Sequence, residues 1–387
     1  MLMSRTPALR RSALAASALA AALALSACSP ATGSGGSGEG LNVVATTTQL
    51  ADFAHQIGGE DISLTGLLQP GASAHHFDPS PKELVALSQA DVLIMNGAEL
   101  EGFIDSAIEA SGFKGTLITA ADGIDLAEAK EITAEGELEA ETGEAPDHAG
   151  HDHADHADHD HADHGAHDHE AASADEAHEG HEHGHEGDEH DHDHGDLNPH
   201  IWTSPRYAEG MAAEVARGLA QANPAHAADY QKRAADYEAQ LHTLDGWVAE
   251  QFERVPAADR VLVSGHDSLR YYLHDYNIAY AGAIMPSFED NAEPSAAELD
   301  ALSAKIKERG VKAIFVESSM SPKLAKTIAR ETGITVVDGD ALYADSLGTA
   351  DSDAETYIDA TLHNTRVILE AWGVTPGPVP NGLGETA

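Results

Sequence analysis

The sequence is poor in cysteine and in positive charge. One cysteine in 387 residues excludes an internal disulfide framework and any zinc site built from cysteine pairs. Only 21 Lys and Arg stand against 66 Asp and Glu, a formal net charge of −45. That balance excludes a nucleic-acid binder working through basic patches, because phosphates would be repelled. Outside one histidine-rich stretch there is no H-E-x-x-H helix, the usual pairing of two zinc-binding histidines with a general base. What is abundant is histidine, 25 residues in all, together with 42% apolar residues and 35 glycines. The apolar content permits folded α/β domains, and the length suggests two of them.

The first 40 residues carry an export pattern. Arg5, Arg10 and Arg11 precede an Ala/Leu/Ser run over residues 12–27. The run is too short and too alanine-rich for a comfortable membrane span. It ends in Leu25-Ser26-Ala27-Cys28, which resembles a bacterial lipobox. On that pattern residues 1–27 are removed, and Cys28 becomes the first residue and carries a lipid. The chain is then anchored to the outer face of the cell membrane. An ordinary secretory signal with an incidental cysteine is the alternative. Residues 28–40 are a Gly/Ser-rich tether.

Beyond the tether, short β-rich runs at 41–47, 62–68, 92–97 and 116–120 alternate with helical segments. Ser80-Pro81-Lys82-Glu83 is a helix start with a serine cap, proline in the first turn and glutamate at the third position. A second set of strands lies at 260–265, 279–284, 313–318 and 335–340. Ser295 with Glu298 forms another capping box, and Gly310 and Gly333 close helices. Between the two sets a long helix is expected over 225–255, with Leu241, Leu244, Val248 and Phe252 on one face. The expected fold is therefore α/β: two similar lobes with mostly parallel sheets, joined by one long rigid helix. The first lobe spans 41–224 and the second 256–376, with a flexible tail at 377–387. Residues 135–196 hold 16 of the histidines and 23 acidic residues, no Lys or Arg, and Leu138 as the one large apolar side chain. Such a segment cannot bury a core, so a disordered insertion is expected there.

Nine histidines remain outside the insertion. His75, His200 and His266 sit just beyond strands or before helices, where ligand-binding residues of α/β sheets project. Asp345 follows the last strand of the second lobe. Three imidazoles and one carboxylate fill a four-coordinate zinc site, although the spacing alone matches no local zinc motif. Trp202 and Tyr271 are expected in the core or lining the cleft. Asp267 is expected to cap the next helix, and Glu317, at a strand end, to back a ligand histidine or make a structural hydrogen bond. His55, His226, His242, His274 and His363 lie on helical or surface patterns and are not expected to be ligands.

Four segments, in order, resemble the metal-binding lipoproteins of bacterial zinc and manganese ABC importers. They are PGASAHHFDPSPKELVALSQADVLIMNGAELEGFI, NPHIW, VSGHDSLRYYLHDYNI, and IFVESSMSPKLAKTIARETGITVVD followed by LYADSLG. The resemblance covers nearly all of residues 41–375, and a histidine-rich insertion before the second motif is typical of the zinc receptors. It implies a solute-binding receptor, not an enzyme, that delivers its metal to an ABC permease. It also implies the ligands His75, His200, His266 and Asp345, with the metal bridging the lobes, and a monomer; the long helix suggests limited hinge motion. His76 competes with His75 but sits one residue closer to Phe77 than the family pattern has it. Asn198 stands where the second motif usually has aspartate. Histidine at the third position resembles the zinc branch, whereas the strict manganese branch has glutamate there. Zn2+ is therefore the expected cargo, with Mn2+ as the alternative, and a histidine-rich metal store or adhesin is a further rival. The insertion is expected to collect zinc weakly near the cleft. Deleting residues 147–194 is expected to leave one tight metal site and remove several weak ones. Calorimetric titration checks this, and loss of the tight site would contradict it.

Overall fold

The computed structural model describes residues 40–142 apart from 74 and 76, residues 197–285, residue 287 and residues 293–383. Cys28, His76 and most of the histidine-rich insertion lie outside the described residues.

The first lobe runs β1 (Leu41–Ala45), α1 (Thr48–Gly58), β2 (Ile62–Gly66), α2 (Pro81–Gln89), β3 (Val92–Met95), α3 (Ile104–Ser111), β4 (Thr116–Thr119) and α4 (Leu126–Thr142). Two long helices follow, α5 (Pro205–Ala222) and α6 (Ala227–Glu253). The second lobe runs β5 (Val261–Ser264), α7 (Arg270–Asp275), β6 (Ala279–Ala283), α8 (Ala296–Arg309), β7 (Ala313–Glu317), α9 (Lys323–Thr332), β8 (Thr335–Leu342) and α10 (Tyr357–Ala371). Each lobe has one four-stranded parallel sheet. The strand orders, β2-β1-β3-β4 and β6-β5-β7-β8, are the same topology used twice. The expected capping boxes form at Ser80/Glu83 and Ser295/Glu298, and Gly310 and Gly333 close their helices with positive φ.

Helix α6 has 27 residues, about 40 Å at 1.5 Å per residue. Its apolar face is fastened to both lobes. Tyr237 meets Phe53 of α1 with ring centroids 6.0 Å apart. Near the other end, Phe252 packs on Tyr272, Tyr276 and Trp372 at 5.8–5.9 Å. One apolar cluster therefore runs from Val43 and Leu93 in the first sheet to Leu262 and Phe315 in the second. A smaller cluster covers the other face of the second sheet, around Val263 and Ile314. No described helix is long and apolar enough to cross a membrane.

Two expected boundaries shift. Order does not stop at residue 135, because α4 continues to Thr142. This end of the helix is held by polar contacts rather than apolar burial, which is why hydropathy misses it. Glu139 is buried and accepts hydrogen bonds from Tyr280 N (3.0 Å) and Arg309 Nη2 (3.3 Å). Gly136 lies against the Arg270 guanidinium with no room for a Cβ. The chain end is likewise tied down beyond residue 377. Gly377 N donates to Gln251 Oε1 (2.7 Å), Trp247 Nε1 donates to Pro378 O (3.0 Å), and Leu383 is buried. Replacing Glu139 by alanine removes a buried acceptor shared by a backbone N–H and an arginine. It is expected to cost about 1–3 kcal/mol, measured by urea unfolding of the metal-free protein. An unchanged midpoint would mean that α4 is not fastened to the second lobe this way.

Candidate metal centre

Parallel sheets leave their connections at the carboxyl ends of the strands, where ligands of α/β proteins bind. The candidate residues gather there. His75 lies in the connection after β2, and His200 stands just before the short 3-10 turn Ile201–Thr203. His266 is two residues past β5, and Asp345 is three residues past β8. His200, His266 and Asp345 are fully buried, and His75 is partly buried.

The four side chains meet at a point, with one ligand-capable atom from each lying within 4.8 Å of the others. His75 Nε2 is 3.0 Å from His200 Nε2, which is 3.4 Å from His266 Nε2. Asp345 Oδ1 lies 3.1 Å from His266 Nε2 and 3.5 Å from His200 Nε2. Bonds of about 2.0–2.1 Å around a tetrahedral zinc ion make ligand-to-ligand edges of roughly 3.3 Å, so these separations have the right size. Asp345 Oδ1 is a buried acceptor that receives no hydrogen bond among the described residues.

Each side chain is aimed by a neighbour. Asn198 Oδ1 lies 2.8 Å from His200 Nδ1 and 3.1 Å from His200 N, which turns Nε2 toward the cluster. The same amide donates through Nδ2 to Asp267 O at 2.7 Å, so it ties His200 to the segment that carries His266. Behind His266 stands the buried carboxylate of Glu317, with Oε1 3.3 Å from Nδ1. Ser319 Oγ donates a short hydrogen bond to Asp345 Oδ2 and leaves Oδ1 facing the imidazoles. On the first-lobe side, buried Glu101 accepts from Thr46 Oγ1 (2.6 Å), Asn96 N (2.6 Å) and Gly97 N (3.0 Å). The positive φ of Ala98 (51°) and Glu99 (64°) folds the chain back for this. Asn96 Nδ2 then donates to Pro199 O at 3.0 Å, next to His200.

The family of the periplasmic component A of zinc-uptake complexes, ZnuA, matches residues 43–371. The chain belongs to this family. ZnuA-family proteins are solute-binding receptors of metal importers rather than enzymes. The manganese-binding lipoprotein MntA of Bacillus subtilis is 27% identical over 334 residues, covering 86% of this chain and 89% of its own. The zinc-binding lipoprotein AdcA of Streptococcus pneumoniae is 25% identical over 331 residues, covering 85% of this chain and 55% of AdcA. The periplasmic zinc-binding protein TroA from Treponema pallidum shares the fold at 21% identity, with a TM-score of 0.64 over 85% of this chain and 98% of its own.

Electrostatics of the ZnuA-type cleft favour a cation. Burial opposes charge on His266, but the Asp345 and Glu317 carboxylates outweigh it and hold the ring well above its usual range. Burial pushes His200 below its usual range against the pull of Asp345. Burial likewise works against ionised Asp345, yet His266 and His200 hold it well below the usual carboxylate range.

Trp202 and Tyr271 are core residues as expected, and both pin the cleft. Trp202 Nε1 donates to Ala344 O (2.8 Å), and Tyr271 OH donates to Asn198 O (2.6 Å). Asp267 does not cap α7, whose cap position is Leu269. It pairs instead with Arg270, Nε to Oδ2 at 3.0 Å. His226 joins a second acidic group at the surface. Its Nδ1 is 3.0 Å from Asp61 Oδ1 and 3.7 Å from Asp229 Oδ2, while Arg233 holds the other Asp61 oxygen at 2.7 Å. Asn96, Glu101 and Ser319 escaped notice in the sequence because they support the cleft through backbone groups and other side chains. The one signal was their position, one to six residues beyond an apolar strand end. Because His266 is raised above the usual imidazole value of about 6.5, it is protonated at neutral pH and loses its proton only as pH rises further. Nitrogen NMR of histidine-labelled, metal-free protein is expected to show an imidazolium signal persisting above pH 7 that disappears in His266→Asn. Titration of every ring below pH 7 would contradict this.

Proposed function

We propose that this chain captures Zn2+ outside the cytoplasm and hands it to the permease of an ABC importer. His75, His200 and His266 bind the cargo through Nε2, and Asp345 binds through Oδ1. The observation that carries this reading is the match between the ligand-to-ligand separations and the edges of a zinc tetrahedron. Donor chemistry agrees, since three imidazoles suit zinc and manganese prefers more carboxylate and water oxygen. Four protein donors also leave no open position for a water nucleophile, in keeping with a carrier.

The remaining parts of the proposal rest on the sequence. A lipid on Cys28 anchors the receptor to the outer face of the membrane, and the receptor works as a monomer. The histidine-rich insertion collects zinc weakly and supplies the cleft. Manganese as cargo is the second reading, favoured by the likeness to a relative described as manganese-binding. A histidine-rich store or adhesin is less well supported, because it leaves the convergence of four donors in the cleft, three of them fully buried, without a purpose.

Structural zinc sites bind with roughly 10–16 kcal/mol, so losing one of four bonds costs about 3 kcal/mol, or roughly 100-fold in affinity. His200→Ala and His266→Ala are each expected to lose the tight site by about that factor or more and to keep weak binding by the insertion. Chelator competition measures it. Protein purified with zinc and manganese in competition is expected to carry about one tightly held zinc. Retention of tight binding in both variants would favour the store, and recovery of manganese would favour the second reading.

A further inference from the structure

The two most deeply buried imidazoles of the cleft are backed by groups of different charge. Behind His200 is a neutral amide, Asn198 Oδ1, at 2.8 Å from Nδ1. Behind His266 is a carboxylate, Glu317 Oε1, at 3.3 Å from Nδ1, with both side chains fully buried. This contact is electrostatic rather than a well-directed hydrogen bond, since His266 Nδ1 meets no hydrogen-bond geometry among the described residues.

Glu317 does not drift into this place. Its Oε2 accepts from Gly265 N at 3.0 Å, and its Oε1 accepts from His266 N at 3.3 Å and from Ser268 Oγ at 2.9 Å. Gly265 is required for the approach. A Cβ there would stand 2.2 Å from Glu317 Oε2 and 2.6 Å from Met320 Sδ. The fold thus places a second buried carboxylate one imidazole away from the metal position, on the same lobe as Asp345.

We propose that Glu317 is a specificity-determining residue of the cleft, whose charge strengthens the His266 donor and biases the site toward zinc over manganese. A carboxylate behind an imidazole raises its basicity as a ligand. A cation that bonds strongly to nitrogen gains more from this than one that prefers oxygen. The C-terminal lobe then supplies an anionic half of the site, Asp345 with Glu317-backed His266. The other half is uncharged: His75 and amide-backed His200. This inference rests on the zinc-receptor reading above and deepens it.

The test uses the full chain with zinc, manganese and cobalt as probes. Glu317→Gln keeps the shape and removes the charge. It is expected to weaken zinc by about 10- to 100-fold, the usual effect of losing an outer partner of a metal-bound histidine. Manganese should weaken by less than about threefold, and the cobalt-loaded variant should keep a tetrahedral absorption spectrum. Glu317→Asp keeps the charge behind His266 and should retain more of the zinc affinity and of the zinc-over-manganese preference than E317Q, and it keeps the question answerable if E317Q folds poorly. Three results would each overturn the inference: E317Q binding zinc as well as the natural protein, zinc and manganese weakening equally in E317Q, or the charge-keeping E317D losing the zinc preference as fully as E317Q. Failure of the natural protein to bind zinc or give the cobalt spectrum would sink the receptor reading instead.

Discussion

A carboxylate taken out of water must be neutralised, and the cleft is organised around one that is neutralised by cations alone. Asp345 is fully buried, its Oδ2 is held by Ser319, and its Oδ1 faces His200 and His266. An unpaired buried charge costs several kcal/mol, so an ionised Asp345 calls for a positive partner beside Oδ1. The carboxylates of Asp345 and Glu317 favour a charge on the His266 ring against the cost of its burial. On the proposed function, a divalent cation would exchange for that charge.

That exchange takes place in a frame that resists wide opening. The lobes have separate sheets, but their apolar interiors are continuous, and α6 is packed into both. Helix α10 returns to the first lobe, where Tyr357 N donates to Asp52 Oδ2 and the Tyr357 ring packs on Phe53. Across the cleft, Trp202, Asn198 and Tyr271 make direct polar links between segments that carry ligands. Parting the lobes as rigid bodies would expose core and break these bonds together.

The alternation of short strands and capped helices made the fold legible in the sequence, because each capping serine and terminal glycine acts through its own neighbours. The four candidate ligands were legible only as parts of motifs. Their spacing in sequence says nothing about their meeting in space, and it takes two parallel sheets to bring residues 75 and 345 together. Hydropathy hid what polar contacts decide. Glu139 and Gly136 extend α4 through a guanidinium and a backbone amide, and the chain end is held by Trp247 and Gln251. Asn198 was visible only as a departure from a motif. Its two contacts, one to each ligand-bearing segment, depend on the folded path and leave no local mark.

The central claim is that His75, His200, His266 and Asp345 together make one closed zinc site. X-ray absorption at the zinc edge tests it most directly, on protein carrying a single equivalent of zinc. The account predicts four donors at about 2.0–2.1 Å, with the outer-shell scattering of three imidazoles and one further oxygen. A six-coordinate, oxygen-dominated shell, or one showing fewer than three imidazoles, would contradict it.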